Sequence, residues 1–431
     1  MRLLSSIKYS VLFALLIRGG SVLAQAPLTT AEIEAQSYKH YSEGNWKALI
    51  LTVNDALLND VDYFYLRMRI GIAYFEQTNY ALAENQFRKA LIFSSQDELA
   101  QEYLFYCYVY MGRTEDARWL SKRFSHELSE KTKTSHPSDL NFMMLEGGTK
   151  ITDSAYYYDK NTHKSSTYFN PATYAQIGLS HSIANRFSLF HGLTYFGQTT
   201  GYTIGQDNFV SVLKQMQYYV KAAVPLKNGW LISPAFHFIH NNLTSTTTNT
   251  QPPPGMPPPP RPIVQTTATT NNHMVAALAI QKASGKFVFT FGNTYSNMLG
   301  QTQYIHSGFA SYSVFGNSKL VLAATAYLHT SNFYSITNMA YAPFIYVQPL
   351  TKLSFKLSYF SNKNDNIIEE NAYLVNNSSD LTQNRWSILT SFTLSKHLGL
   401  YALYQLENKV ENPQKFNYRY NVIVGGIKIT P

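Results

Sequence analysis

The 431-residue chain holds one cysteine, Cys107, so no disulfide can form within it. Charge is scarce: Asp, Glu, Lys and Arg make up 14% of the residues, against roughly 25% in soluble domains. Beyond the N-terminal stretch no apolar run approaches the roughly 20 residues that a spanning helix needs, which excludes a helical membrane protein. Motifs of chemistry are missing as well. No Gly-rich loop precedes a helix, and neither HExxH nor CxxC occurs, so no metal, phosphate or nucleotide site can be assigned. His181-Ser182 and His306-Ser307 are neighbours in sequence only, and adjacency does not make a hydrolytic geometry. The chain reads as non-enzymatic, with no cofactor, no metal and no nucleic-acid partner.

What the chain has in excess is aromatic residues, with 33 tyrosines and 26 phenylalanines. Tyrosine suits positions with one apolar and one wet end. Residues 1–26 read as a secretory signal: Arg2 and Lys8 are basic, Val11 to Ile17 apolar, and Ala24-Gln25-Ala26 a cleavage site.

Residues 27–137 repeat with a period of 34. Gly44, Thr78 and Gly112 fall in register, followed by GNWKALI, TNYALAE and GRTEDAR. In the middle unit, Gly71, Tyr74, Ala83, Phe87 and Ala90 stand at tetratricopeptide spacing. The segment resembles an array of three such units, about the minimum for a stable solenoid. That resemblance implies a groove lined by the first helix of each unit, here Tyr38, Tyr41, Tyr65, Phe75, Tyr106 and Tyr110, binding a periplasmic protein or peptide. Aromatics bring large contact area at low entropic cost. Cys107 reads as a buried filler.

From residue 138 to 431 the period becomes two. In Thr337 to Asn362, Leu353, Phe355, Leu357 and Tyr359 alternate with Ser354, Lys356 and Ser358, as in a strand with one apolar and one polar face. Runs of about 10 residues recur, long enough to cross a bilayer when tilted. Short turns (SIANR, PLKNG, ASGK, GNSK, PLTK, SKHLG) mostly alternate with longer connections at 151–171, 203–209, 241–271, 362–380 and 409–415. This is the pattern of an outer-membrane barrel with short periplasmic turns. About 14 strands are expected, starting near Leu140, Ala172, Phe187, Val210, Trp230, His273, Phe287, Thr302, Lys319, Ile336, Lys352, Gln383, Leu398 and Phe416. A soluble two-sheet sandwich is the alternative. Segment 241–272, with 8 of the 17 prolines, is expected to be an extended external loop.

The aromatics Tyr218, Tyr219, Trp230, Tyr401, Tyr404, Tyr418 and Tyr420 are expected as interfacial girdles. Residues 27–137 carry 12 basic and 15 acidic side chains, and residues 138–431 carry 20 and 11. Turn cations Arg186, Lys227, Lys282, Lys286, Lys319, Lys352, Lys396 and Lys428 form a basic ring suited to anionic lipid, or to docking the acidic repeat; solvated turn lysines explain it equally well. Lys356, Glu407 and Arg419 are the candidate lumen charge network.

A leader, periplasmic repeats and a C-terminal barrel together resemble, in architecture, surface lipoprotein assembly modulators, YaiO-like barrels and exopolysaccharide-export barrels. The resemblance implies an outer-membrane protein whose repeat binds a client or partner and whose barrel serves translocation, export or assembly. A scaffold with a plugged barrel and a diffusion channel are the alternatives. Oligomeric state is left open.

Overall fold

A computed structural model of the chain describes residues 28–135, 139–152, 156–157, 165–183, 187–204, 207–249, 262–331, 338–364, 368–375, 381–410 and 417–431. The expected leader, the proline-rich centre at 250–261 and Arg186 lie outside the described residues.

Seven helices come first: α1 (Thr30–Ser42), α2 (Trp46–Leu58), α3 (Phe64–Glu76), α4 (Tyr80–Phe93), α5 (Glu98–Tyr110), α6 (Thr114–Ser121) and α7 (His126–Lys131). Helices α1, α3 and α5 start 34 residues apart, and so do α2, α4 and α6. The sequence period is therefore a period of helix pairs. Thr29 opens α1 with a capping box closed by Glu32. Between the helices of each pair sits a residue at positive φ: Gly44 (66°), Thr78 (57°) and Gly112 (72°). Glycine adopts this conformation freely. Asn45 and Asn79 then cap the second helix of the first two pairs.

Within the middle pair, a Cβ on Gly71 would lie 2.7 Å from the Phe87 ring, so the absent side chain is what lets α3 and α4 touch. Phe87, Ala83, Ala90 and Cys107 are fully buried in one cluster. Burial pushes the Cys107 thiol pKa up, with Glu84 adding to the rise, which makes it an inert filler.

Fourteen wall strands follow: β1 (Leu140–Thr152), β2 (Ala172–Ile183), β3 (Phe187–Ile204), β4 (Asp207–Pro225), β5 (Trp230–Asn249), β6 (Ile263–Ser284) and β7 (Phe287–Ser296). The second half comprises β8 (Gln303–Ser313), β9 (Leu320–Ser331), β10 (Asn338–Leu350), β11 (Leu353–Asn364), β12 (Leu381–Thr393), β13 (Leu398–Val410) and β14 (Asn417–Ile429). Each pairs antiparallel with the next, and β14 pairs with β1 from Met143↔Ile429 to Thr152↔Tyr420. A closed ring leaves no sheet edge, which is what allows strands to cross a membrane and what excludes the sandwich. Apolar side chains such as Leu145, Phe236, Phe291, Ile345 and Ile388 are exposed on the outside, while Gln176, Thr194, Gln215, His237 and Glu407 are buried inside.

Three expectations change. Strands β5 and β6 run for 20 and 22 residues and stay paired out to Asn249↔Ile263. The flanks of the 241–272 segment are thus a hairpin extension, because β-branched threonines pair well even where no apolar face exists. Of the expected girdle aromatics, Tyr219, Tyr401, Tyr418 and Tyr420 line the lumen. Tyr218, Trp230 and Tyr404 point outward and are exposed.

The third concerns docking. The helices sit on the short-turn end, yet their arginines make the contact rather than the turn lysines. Arg88 donates to Asn228 Oδ1 (2.6 Å), and Arg118 to Asn141 Oδ1 (2.7 Å) and to Ser188 Oγ. Ala81 N donates to Gly316 O (3.0 Å), and Asn317 Nδ2 to Thr78 O (3.0 Å). Lys282 and Lys286 donate instead to the turn carbonyls of Asn228 and Val314. Arginine's planar fork reaches two acceptors at once, which a lysine ammonium on a flexible stem does less well. Among the described residues these bonds reach β1, the start of β3 and the turns β4–β5 and β8–β9.

Candidate functional site

The connection from β11 to β12, expected as an external loop, turns inward. The β11–β12 register shifts between Ser361 and Asn364, where the chain leaves the wall. A two-rung hairpin follows, with Ile368–Glu369 paired to Leu374–Val375. Its turn, Glu370-Asn371-Ala372, holds φ of 51°, 57° and 66°, a region non-glycine residues seldom enter.

The hairpin is rooted on its own side of the barrel. Arg385 of β12 donates to both oxygens of Glu369 at 2.8 Å, and Lys356 of β11 lies 3.6 Å from Glu370. Its tip bonds to β4 and β5, seven strands away from β11 and β12 and so directly opposite in a ring of fourteen. Tyr219 Oη donates to Asn371 O (3.1 Å) and His237 Nδ1 to Ala372 O (2.7 Å). Asn371 Nδ2 donates to Ser233 O (2.9 Å). That carbonyl is available because Pro234 has no N–H and β4–β5 pairing lapses between Lys221↔Ala235 and Val224↔Ile232. Ile368 and Ala372 are buried against Tyr219, Ala235, Ile239 and Val275.

The hairpin spans the lumen, and two spaces lie against it. An outer vestibule of about 770 Å³ faces the long-connection end. An inner one of about 570 Å³ is lined from β9 round through β14 and β1 to β3, by Tyr327, Phe344, Lys356, Tyr401, Lys428 and Met144 among others. In the outer vestibule Lys150 Nζ is 2.9 Å from Glu407, and Lys409 lies 3.9 Å from the same residue.

The expected network of Lys356, Glu407 and Arg419 is therefore not one unit. Lys356 pairs with Glu370 of the hairpin, Glu407 pairs with Lys150, and Arg419 lies on the outer face bonded to Asn408 Oδ1 (3.1 Å). Alternation decides this: Tyr418 and Tyr420 face inward, so the residue between them faces out. Sequence reading missed Lys150, Arg385 and Glu369. The two charged inward-facing residues of β1, Glu146 and Lys150, stand four apart on one strand face, a signal that was available.

On the helices, the candidate groove residues fall into separate groups. Tyr38 and Tyr65, 58% and 61% exposed, flank the Arg69 guanidinium at 5.4 and 6.0 Å. Phe75, Tyr106 and Tyr110 cluster with Tyr80 and Tyr103, the Phe75–Tyr110 and Tyr106–Tyr110 centroids both 6.0 Å apart. Tyr41 packs half-buried on Trp46. Arg69 also clamps Glu34 through both oxygens and, as the first cause, holds its carboxyl pKa below the usual value. Tyr63 Oη donates to the same carboxylate, and burial foremost pushes its pKa up to about 12.

These features define an outer-membrane-type β-barrel of fourteen strands, with a seven-helix domain on its short-turn end and a hairpin across its lumen. No family model matches the chain and no curated protein matches its sequence. Among solved structures it is similar to the toluene transporter TodX of P. putida (TM-score 0.46, 6% identity, 69% of this chain and 91% of that one). It is also similar to a FadL homologue of Pseudomonas aeruginosa (0.43, 8%, 68% and 90%). The translocator domain of the autotransporter NalP from Neisseria meningitidis is a third (0.32, 9%, 75% and 99%). At these scores the likeness adds nothing to what the strand pairing shows.

Proposed function

We propose that the protein is a solute channel of the bacterial outer membrane, held shut by the hairpin 368–375. The observation that carries this reading is the hairpin itself, hydrogen-bonded to the wall opposite its root. A scaffold needs no such device, and a protein-export barrel needs a wider path than two small vestibules give. Withdrawal of the hairpin joins the vestibules into one route. The test is conductance in planar bilayers. Replacing 368–375 with a short Gly-Ser linker is expected to raise single-channel conductance several-fold, and Arg385→Gln to give intermittent openings. An unchanged conductance in the linker variant would reject the channel.

A second reading, favoured by the exposed Tyr38 and Tyr65 beside Arg69, gives the helices a role of their own. In it they form a tetratricopeptide-like array in the periplasm that binds a peptide or protein. Outer-membrane lipid is the barrel's surrounding partner. Capture of a periplasmic protein by the full chain, lost in a Tyr38→Ala/Tyr65→Ala variant, would support it.

A further inference from the structure

Six amide side chains face the outer vestibule from β2 to β6: Gln176, Gln198, Gln215, Gln217, Asn241 and Asn271. An amide offers donors and an acceptor together, as a hydroxyl does, so a wall of amides complements a polyhydroxylated solute. Two alternatives fit worse. For an ion site, the lining holds three cations against two carboxylates, but each cation is already engaged: Lys150 and Lys409 share Glu407, and Arg385 is doubly bonded to Glu369. A site for hydrocarbons would desolvate whatever donors and acceptors the amides do not spend on one another and on Tyr174, Tyr373, Tyr420 and His237, at about 1–3 kcal/mol each.

The amides are ordered. Gln217 donates to Gln215, and Gln215 Nε2 to Asn241 Oδ1 at 2.7 Å. The chain of bonds ends on the buried Asn241, which lines the vestibule. A second wall is aromatic: Phe169 stacks on Tyr418 at 5.2 Å, and Tyr420 stands beside them. Ring faces of this kind pack against the C–H face of a pyranose, and the volume of about 770 Å³ lies within the roughly 300–1,000 Å³ of small-ligand sites.

We infer that the outer vestibule is a binding site for a small neutral saccharide, the amides meeting its hydroxyls and Phe169, Tyr418 and Tyr420 its apolar face. The inference rests on the channel reading for the route by which the solute arrives. The full chain in detergent micelles would be titrated calorimetrically with maltotriose, cellobiose and raffinose, and with benzoate, toluene and a polyethylene glycol of similar mass as controls. At least one saccharide is expected to bind and none of the controls. Gln215→Leu and Tyr418→Ala are each expected to weaken binding at least tenfold, and the outward-facing Arg419→Gln to leave it unchanged. Heat-modifiable gel mobility checks that each variant is folded, and a misfolded one is replaced by Gln217→Leu or Phe169→Ala. Binding of benzoate or toluene in place of all three saccharides overturns the inference, as does equal saccharide affinity in folded site variants. Conductance of the linker variant separates the two claims: current without saccharide binding sinks this inference alone, and binding without current sinks the channel alone.

Discussion

The helical domain and the barrel put the same kinds of residue in opposite places. In the helices Phe87, Leu49 and Ile70 are fully buried, and most charged residues face water. In the barrel Phe291 and Leu357 are exposed on the outside, while Glu407 and Lys409 are among the least exposed side chains. The solvent explains the inversion. A helix pair in water gains by hiding apolar surface, whereas a strand in lipid gains nothing from it and must satisfy polar groups internally. Stability is accordingly held by packing in one region and by closed backbone pairing in the other, and substitutions should separate the two.

The largest effect is expected in the helical core. Phe87→Ala removes the ring that fills the space over Gly71 and stacks on Tyr103 at 5.0 Å, and should cost about 3–5 kcal/mol. Thermal loss of the 222 nm signal should fall to lower temperature while the barrel's heat-modifiable mobility stays put. A joint loss of both would show that the two regions fold as one. A smaller effect is expected at their junction. Arg118→Ala deletes the bonds to Asn141 and Ser188 and should weaken docking by about 1–2 kcal/mol, read as faster proteolysis between α7 and β1; an unchanged rate would place the docking energy elsewhere.

The smallest effect is a pH dependence confined to the helices. The Glu34 pKa is lowered, so its contribution is present above the unfolded value of about 4.3 and is lost as pH falls through the folded one. Tyr63 is raised to about 12, so its contribution is present below about 10 and is lost as pH rises toward 12. With Glu34 44% exposed, the acid loss should be under about 1 kcal/mol. Arg69→Met should flatten the acid limb of helical melting; an acid limb as steep as in the parent would assign it to other carboxylates.

Much of this architecture is written in local pattern. Thirteen of the expected strand starts lie within three residues of those observed, because period-two alternation is imposed by lipid on one side and water on the other. The exception, β6, begins at Ile263 rather than near His273, since its Thr-rich outer part lies beyond the membrane and has no apolar face to announce it. The helix-pair period of 34 was equally plain, carried by Gly44, Thr78 and Gly112. The site was not. Nothing in the pattern of 362–380 distinguishes a loop that folds inward from one that folds outward, for that depends on Arg385 and His237 waiting on opposite walls. Tyr418 and Tyr420 misled because tyrosine suits a membrane interface and a wet lumen alike, and Arg419 was assigned inward as a result.

The turn at Glu370-Asn371-Ala372 has a mechanical consequence. A left-handed conformation costs a non-glycine residue roughly 1–2 kcal/mol, less for asparagine, so the tip is a loaded spring worth a few kcal/mol. The three hydrogen bonds that hold it to the far wall are each worth about 1 kcal/mol net. Load and latch are thus of similar size. On the channel reading proposed above, such a balance would make gating sensitive: a shift of about 1.4 kcal/mol, one hydrogen bond gained or lost, would change the open fraction tenfold.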